Sequence, residues 1–166
     1  MYLSPYDAPE EILSLAGPCG PLSVWLVLKR YGVEAAPIEI IEKCRYTDEY
    51  GCFLVCMAEA LVHFGLKANL HTDFDLSPKD IEKNSYSIIK PYPAVSITKL
   101  LKAIDHGSSV IVSYLAHGGE GHFSPLIGGK ANKLELAYSS QPYILKSEFR
   151  ARWRANEILR QSIIVT

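Results

Sequence analysis

The character of the chain changes near residue 108, and this narrows the fold more than any other feature of the sequence. Ahead of that point apolar residues recur at helical spacing. Beyond it come short runs rich in Val, Ile and Tyr, as in buried strands. Pro21 to Tyr31 predicts a buried helix, with Leu22, Trp25, Leu26 and Lys29 at helical spacing, Pro21 in the first turn and Gly32 as the stop. A second helix is expected over Ile38 to Arg45. A third runs from about Cys52 to Phe64, with Phe53, Met57, Ala60, Leu61 and Phe64 on one stripe. Leu66 to His71 alternates like a strand. Ser77-Pro78 opens a short helix through Ile81-Glu82, and Ser96 caps a helix over Ile97 to His106 that Gly107 ends.

Strands are then expected at Ser109 to Leu115, His122 to Ile127 and Leu134 to Tyr138, with Gly128 to Asn132 as a turn. Ser147 caps a helix through Trp153, and Ser162 to Val165 closes the chain as a strand. Helices first and mainly antiparallel strands afterwards define an α+β domain, a helical half packed on a sheet half. There is no repeat or linker, so residues 1–166 are expected to form one domain.

Composition excludes some roles. With 48% hydrophobic and 21% charged residues, the chain has enough apolar surface to offset the entropy of folding. Its 17 Lys+Arg against 18 Asp+Glu, without a basic run, gives no support to a nucleic-acid partner. The longest apolar stretch, around Val24 to Leu28, is far short of a membrane span. Met1 to Glu11 carries Asp7, Glu10 and Glu11 and does not read as a signal peptide. A cytoplasmic protein with reduced thiols is expected. The four cysteines, Cys19, Cys44, Cys52 and Cys56, are then not a disulfide framework. Cys44, Cys52, Cys56 and His63 match no standard zinc spacing, so buried helix thiols are expected and neither metal nor cofactor is called for.

The most informative stretch is Ala16-Gly17-Pro18-Cys19-Gly20-Pro21. Two prolines and two glycines hold one cysteine at the mouth of an apolar helix. Free N–H groups and the helix dipole there favour a thiolate. The bland alternative is a small buried residue at a helix cap. A nucleophilic thiol needs a base. His63, His71 and His106 end elements or face solvent in this pattern, whereas His117 and His122 border the Gly118-Gly119-Glu120-Gly121 loop. His122 opens the strand HFSPLIGG, sharing a face with Ser124 and opposite Phe123. A histidine held at a strand start beside a loop suits a general base.

Cys-Gly before a helix ending Tyr-Gly, a middle helix ending Phe-Gly-Leu, then Gly-His-aromatic entering a strand: this order resembles the papain-like cysteine peptidases. It is most similar to the bacteriocin-processing group that cuts after double-glycine leaders. The resemblance covers about Leu13 to Trp153. It implies a papain-like α+β fold, Cys19 as nucleophile, His122 as base, and a thiolate–imidazolium pair that cleaves a peptide or other amide through an acyl-enzyme. Two family groups lack a counterpart. Where a Gln donates to the oxyanion hole, this chain has Ile12-Leu13-Ser14-Leu15. Where an Asp or Asn orients the histidine, it has Tyr138-Ser139-Ser140-Gln141. Ser139 and Ser140 are candidate orienting side chains, with Tyr138 and Gln141 as alternatives. Gly121 to Gly129 is also similar to phytochelatin synthase, a papain-like transpeptidase, which would share Cys19 and His122. A third possibility is a catalytically silent domain binding a peptide or partner in the same cleft, between Cys19 and His122 and walled by His117 to Gly121.

Overall fold

A computed structural model describes residues 1–73, 89 and 91–166. The expected helix at Ser77 to Glu82, with the charged group Lys79 to Lys83, lies outside the described residues. A single 3-10 turn (Pro5–Asp7) precedes α1 (Glu10–Leu13). The helix α2 (Cys19–Arg30) begins two residues earlier than the pattern suggested, so Cys19 is its first residue. Pro21 is tolerated there because the first N–H groups of a helix have no internal partner. Gly20 to Leu28 are all buried, which makes α2 the central helix of its layer. Gly32 takes the left-handed conformation, φ +68°, and Val33 N–H returns to Leu28 O at 2.9 Å, closing the helix.

Next come α3 (Pro37–Lys43) and α4 (Leu54–His63), the latter buried from Leu54 to Leu61. Phe53 precedes α4 and is 41% exposed, so it leaves the expected stripe. Strand β1 (Ala68–Thr72) pairs in parallel with the short β2 (Tyr92–Pro93), which carries no period long enough to read in sequence. In α5 (Ile97–Asp105) the Ser96 Oγ accepts Lys99 N–H, the expected cap. The sheet half then runs β3 (Ser109–Leu115), β4 (Gly121–Lys130), β5 (Lys133–Leu136), β6 (Tyr143–Leu145), α6 (Lys146–Trp153) and β7 (Ser162–Val165).

Two expectations are corrected here. The strand β4 continues through Gly128-Gly129, and the reversal is confined to Ala131-Asn132. The register shifts between Leu126 and Gly128, a bulge that accommodates the glycine. A side chain at Gly129 would press on Leu101 and Leu134 at 3.1 Å, so this glycine permits close packing rather than a turn. Ser147 is not a cap either. The helix α6 starts at Lys146, whose N–H is satisfied by Asn132 O at 2.7 Å.

The strand order is β2-β1-β7-β3-β4-β5-β6, antiparallel except at β1/β2. The last strand, β7, inserts between β1 and β3. Its side chains alternate between two cores: Ile163 and Val165 join the layer of α2, α3 and α4, and Ile164 packs against the layer of α5 and α6. In β3, Ile111 points to the first layer, and Val110, Val112 and Tyr114 to the second. The result is three layers, helices on both faces of one sheet.

Candidate active site

The site forms where the N-terminus of α2 meets β4. Here β4 has an open edge, because its pairing with β5 begins only at Leu126. The side chains of β4 divide between the faces. Phe123 packs on the α2–α4 core, while His122 and Ser124 pair with Tyr114 and Val112 of the opposite face. Gly20 lets this meeting be close: a Cβ there would lie 3.6 Å from the Phe123 ring and 1.9 Å from Cys52 Sγ.

Cys19 is half-buried, and the main-chain N–H groups around its sulfur, those of Phe123 and Gly20 and its own, act to lower its pKa. All three favour the thiolate. Burial outweighs them and pushes the thiol above its ordinary value. This corrects the expectation drawn from the helix N-terminus alone. Loss of hydration costs the thiolate more than the neighbouring N–H groups return.

The His122 ring donates from Nε2 to the carbonyl oxygen of Tyr138 at 2.8 Å. A carbonyl can only accept, so Nε2 carries the proton and Nδ1 is left with a lone pair. The ring is held from two sides, by Tyr114 edge-on at 5.4 Å and by Tyr138 at 5.3 Å and 32°. Burial lowers its pKa against the raising effects of the Tyr138 carbonyl and Glu120. At both groups burial disfavours the charged form. Among the described residues no hydrogen bond joins Cys19 directly to His122.

The other candidates fall as follows. Ser139 Oγ accepts Gln141 N–H at 3.3 Å and meets the Tyr114 hydroxyl, and Ser140 lines the neighbouring cavity. The imidazole is oriented by the main chain of Tyr138, a partner that no residue type announces. Leu13 packs on the core, and Ser14 is exposed at the C-cap of α1. The loop before Cys19 is tied instead by Gly17 N–H to Tyr46 Oη at 3.0 Å. His117, on the loop wall, accepts Arg152 N–H at Nδ1 (2.9 Å) and approaches Glu148 with Nε2. His63 pairs with Glu39, His71 with Pro93 O, and His106 with Lys102 O, so each serves its own locality.

Cys44, Cys52 and Cys56 are buried on the α2–α4 side. Among the described residues, no group of three or more His, Cys, Asp or Glu is placed to hold a metal ion, and no helix is long and apolar enough to cross a membrane. Trp25 and Trp153 are both buried, one in each core. Beside His122 opens a cavity of about 520 Å³, lined by Tyr6, Tyr114, Tyr138 and Tyr143 together with Glu120 and Arg152.

This architecture, with a cysteine at the head of the central helix and a histidine at the start of the facing strand, is the fold of papain-like cysteine peptidase domains. The peptidase domain of Streptococcus ComA, a bi-functional ABC transporter involved in quorum sensing, superposes with a TM-score of 0.59. That match has 18% identity and covers 89% of this chain and 90% of that one. A double-glycine motif protease from an AMS/PCAT transporter, in complex with the leader peptide, gives a TM-score of 0.58 at 15% identity, over 92% and 86% of the two chains. These neighbours carry the first of the two resemblances seen in the sequence. No protein-family model and no curated protein matches the chain.

Proposed function

We propose that the protein is a cysteine peptidase that cleaves a peptide through an acyl-enzyme, with Cys19 as nucleophile and His122 as base. One observation carries this reading: Cys19 heads α2 where Gly20 meets Phe123 of β4, next to an imidazole whose Nε2–H is fixed on Tyr138 O and whose Nδ1 is left to accept. Substrate binding brings Nδ1 to the thiol, since catalytic hydrogen bonds tighten in the substrate complex. As sulfur attacks the scissile carbonyl carbon, its proton passes to Nδ1. That proton then goes to the leaving amine, and the C–N bond breaks to leave a thioester. Water, giving a proton to Nδ1, attacks the thioester and releases the acid and the thiol.

With no Gln before the cysteine, the N–H groups at the first turn of α2, those of Cys19 and Gly20, are the donors available to the oxyanion. A solved neighbour that holds a leader peptide supports a peptide occupant.

The raised thiol and lowered imidazole favour one second reading, a domain that binds a peptide without turnover. The two separate on exposure to a diverse peptide library with detection of newly formed N-termini. A peptidase generates them, and Cys19→Ala abolishes them. A binding domain retains peptides with none formed by either protein.

A further inference from the structure

The group that orients His122 is itself held in place, and its holder is a side chain outside the cleft. Tyr138 lies beyond the end of β5, past the last residue of that strand to pair with β4. Its N–H therefore has no ladder carbonyl to meet. It donates instead to Ser124 Oγ at 2.9 Å. Ser124 is completely buried, and its own proton goes to Pro125 O at 3.0 Å. That carbonyl also receives Ala137 N–H at 2.9 Å. Both main-chain groups that fix the turn out of β5 are thus clamped to the Ser124-Pro125 corner of β4.

The polarity of this chain is set throughout. Pro125 O can only accept, so the Ser124 hydroxyl donates to it. The Ser124 oxygen is then left to accept Tyr138 N–H. Tyr138 is thus anchored at its N–H, in the peptide unit ahead of its Cα, and the carbonyl of the next unit reaches His122 Nε2 at 2.8 Å. His122 and Ser124 are two apart on β4 and share a face, so both ends of the clamp stand on one rigid strand.

We infer that Ser124 is a positioning residue for the catalytic pair: by anchoring Tyr138 at its N–H it steadies, one Cα away, the carbonyl that keeps His122 in the Nε2–H tautomer, in the role a side-chain carboxylate or amide would otherwise fill. This rests on the proposed peptidase reading. The groups that face the ring besides Tyr138 O are the Tyr114 and Tyr138 rings and, through its charge, Glu120. None of these fixes the tautomer, because none accepts from Nε2.

The test combines nitrogen-15 NMR of the His122 ring with alkylation of Cys19 by iodoacetamide, read by peptide mapping on the full chain. The wild-type ring shows the Nε2–H tautomer alone. Ser124→Ala gives a mixture of tautomers and slows Cys19 alkylation at neutral pH by about tenfold, with the amide spectrum otherwise retained. Ser124→Thr, which keeps the hydroxyl, restores the single tautomer and most of the rate. A merely structural serine would lower the melting temperature in Ser124→Ala without changing the tautomer, and that result overturns the inference. An Nδ1–H or mixed tautomer in the wild type also overturns it, and needs no variant to fold. Failure of the peptidase reading looks different: His122→Ala would leave Cys19 alkylation unchanged while the wild-type tautomer stays fixed.

Discussion

The two faces of the sheet hold their halves of the site by different physics. On the α2–α4 side Cys19 is placed by packing. Gly20 lies against Cys52 and Phe123, and the surrounding core is apolar. On the α5–α6 side His122 is placed by hydrogen bonds, through Tyr138 and Ser124, with aromatic rings alongside. The nucleophile side should therefore answer to changes of volume and the base side to loss of a single polar atom. Phe123 and His122, consecutive in sequence, carry the boundary between the two regimes.

The largest effect tests whether both halves are needed. Cys19→Ala abolishes peptide cleavage, and His122→Ala lowers kcat/KM by about 10³-fold or more, as measured on any peptide the wild type cuts. Comparable loss from either side is expected if the halves act as a unit. A His122→Ala enzyme of near wild-type rate would break the comparison.

Next comes the weight of the two cores. Leu26→Ala removes a fully buried side chain from one and Trp153→Ala a nearly buried ring from the other. Urea unfolding is expected to show losses of about 2–5 and about 3–5 kcal/mol respectively. Trp153 also gives up the bond from Nε1 to Gln161 O. A loss under about 1 kcal/mol on either side would mean that its core is only a satellite.

The volume rule itself is tested at Gly20. Gly20→Ala places a methyl where Cys52 Sγ stands and is expected to cost about 1–3 kcal/mol. Cys52→Ala in the same chain vacates that space and recovers part of the loss, a coupling visible in a double-mutant cycle. Additive losses would show that the contact does not limit packing.

The smallest effects are titrations. Cys19 alkylation is expected to rise with pH around an apparent pKa above the ordinary thiol value of about 8.5. His122 should titrate below the ordinary histidine value of about 6.5. Between its lowered folded value and 6.5 the unfolded chain binds more protons than the folded one. Stability contributed by neutral His122 is thus present above this window and lost as pH falls through it. His71, also lowered by burial, adds in the same direction. Unfolding free energy compared at pH 5 and pH 7, with and without His122→Ala, checks the sign. A loss on acidification as large in the variant as in the wild type would leave His122 out of it.

Much of the architecture was legible because it is written in local periods. Ser109–Leu115 and Ser162–Val165 form as strands over the spans the pattern gave, and Ser96 caps its helix. The glycines misled at Gly128-Gly129, where a bulge and close packing require them and no turn forms. Strands of two and three residues, β2 and β6, were missed because they are too short to show alternation. In the site, Cys19 and His122 stood out through their setting, and the shared face of His122 and Ser124 followed from the strand period. What Ser124 does with that position did not, because its partner is a main-chain amide.

The sequence by itself determined the helical half, the strand-rich half, and the places where a thiol and an imidazole enter them. All of these follow from residues within a few positions of one another. The tertiary structure alone decided three things: β7 inserts between β1 and β3, burial raises the Cys19 thiol, and a carbonyl of Tyr138 orients His122. Each depends on contacts between segments distant in the chain. Desolvation and main-chain hydrogen bonds are set by such contacts, and neither leaves a mark in the identity of any one residue.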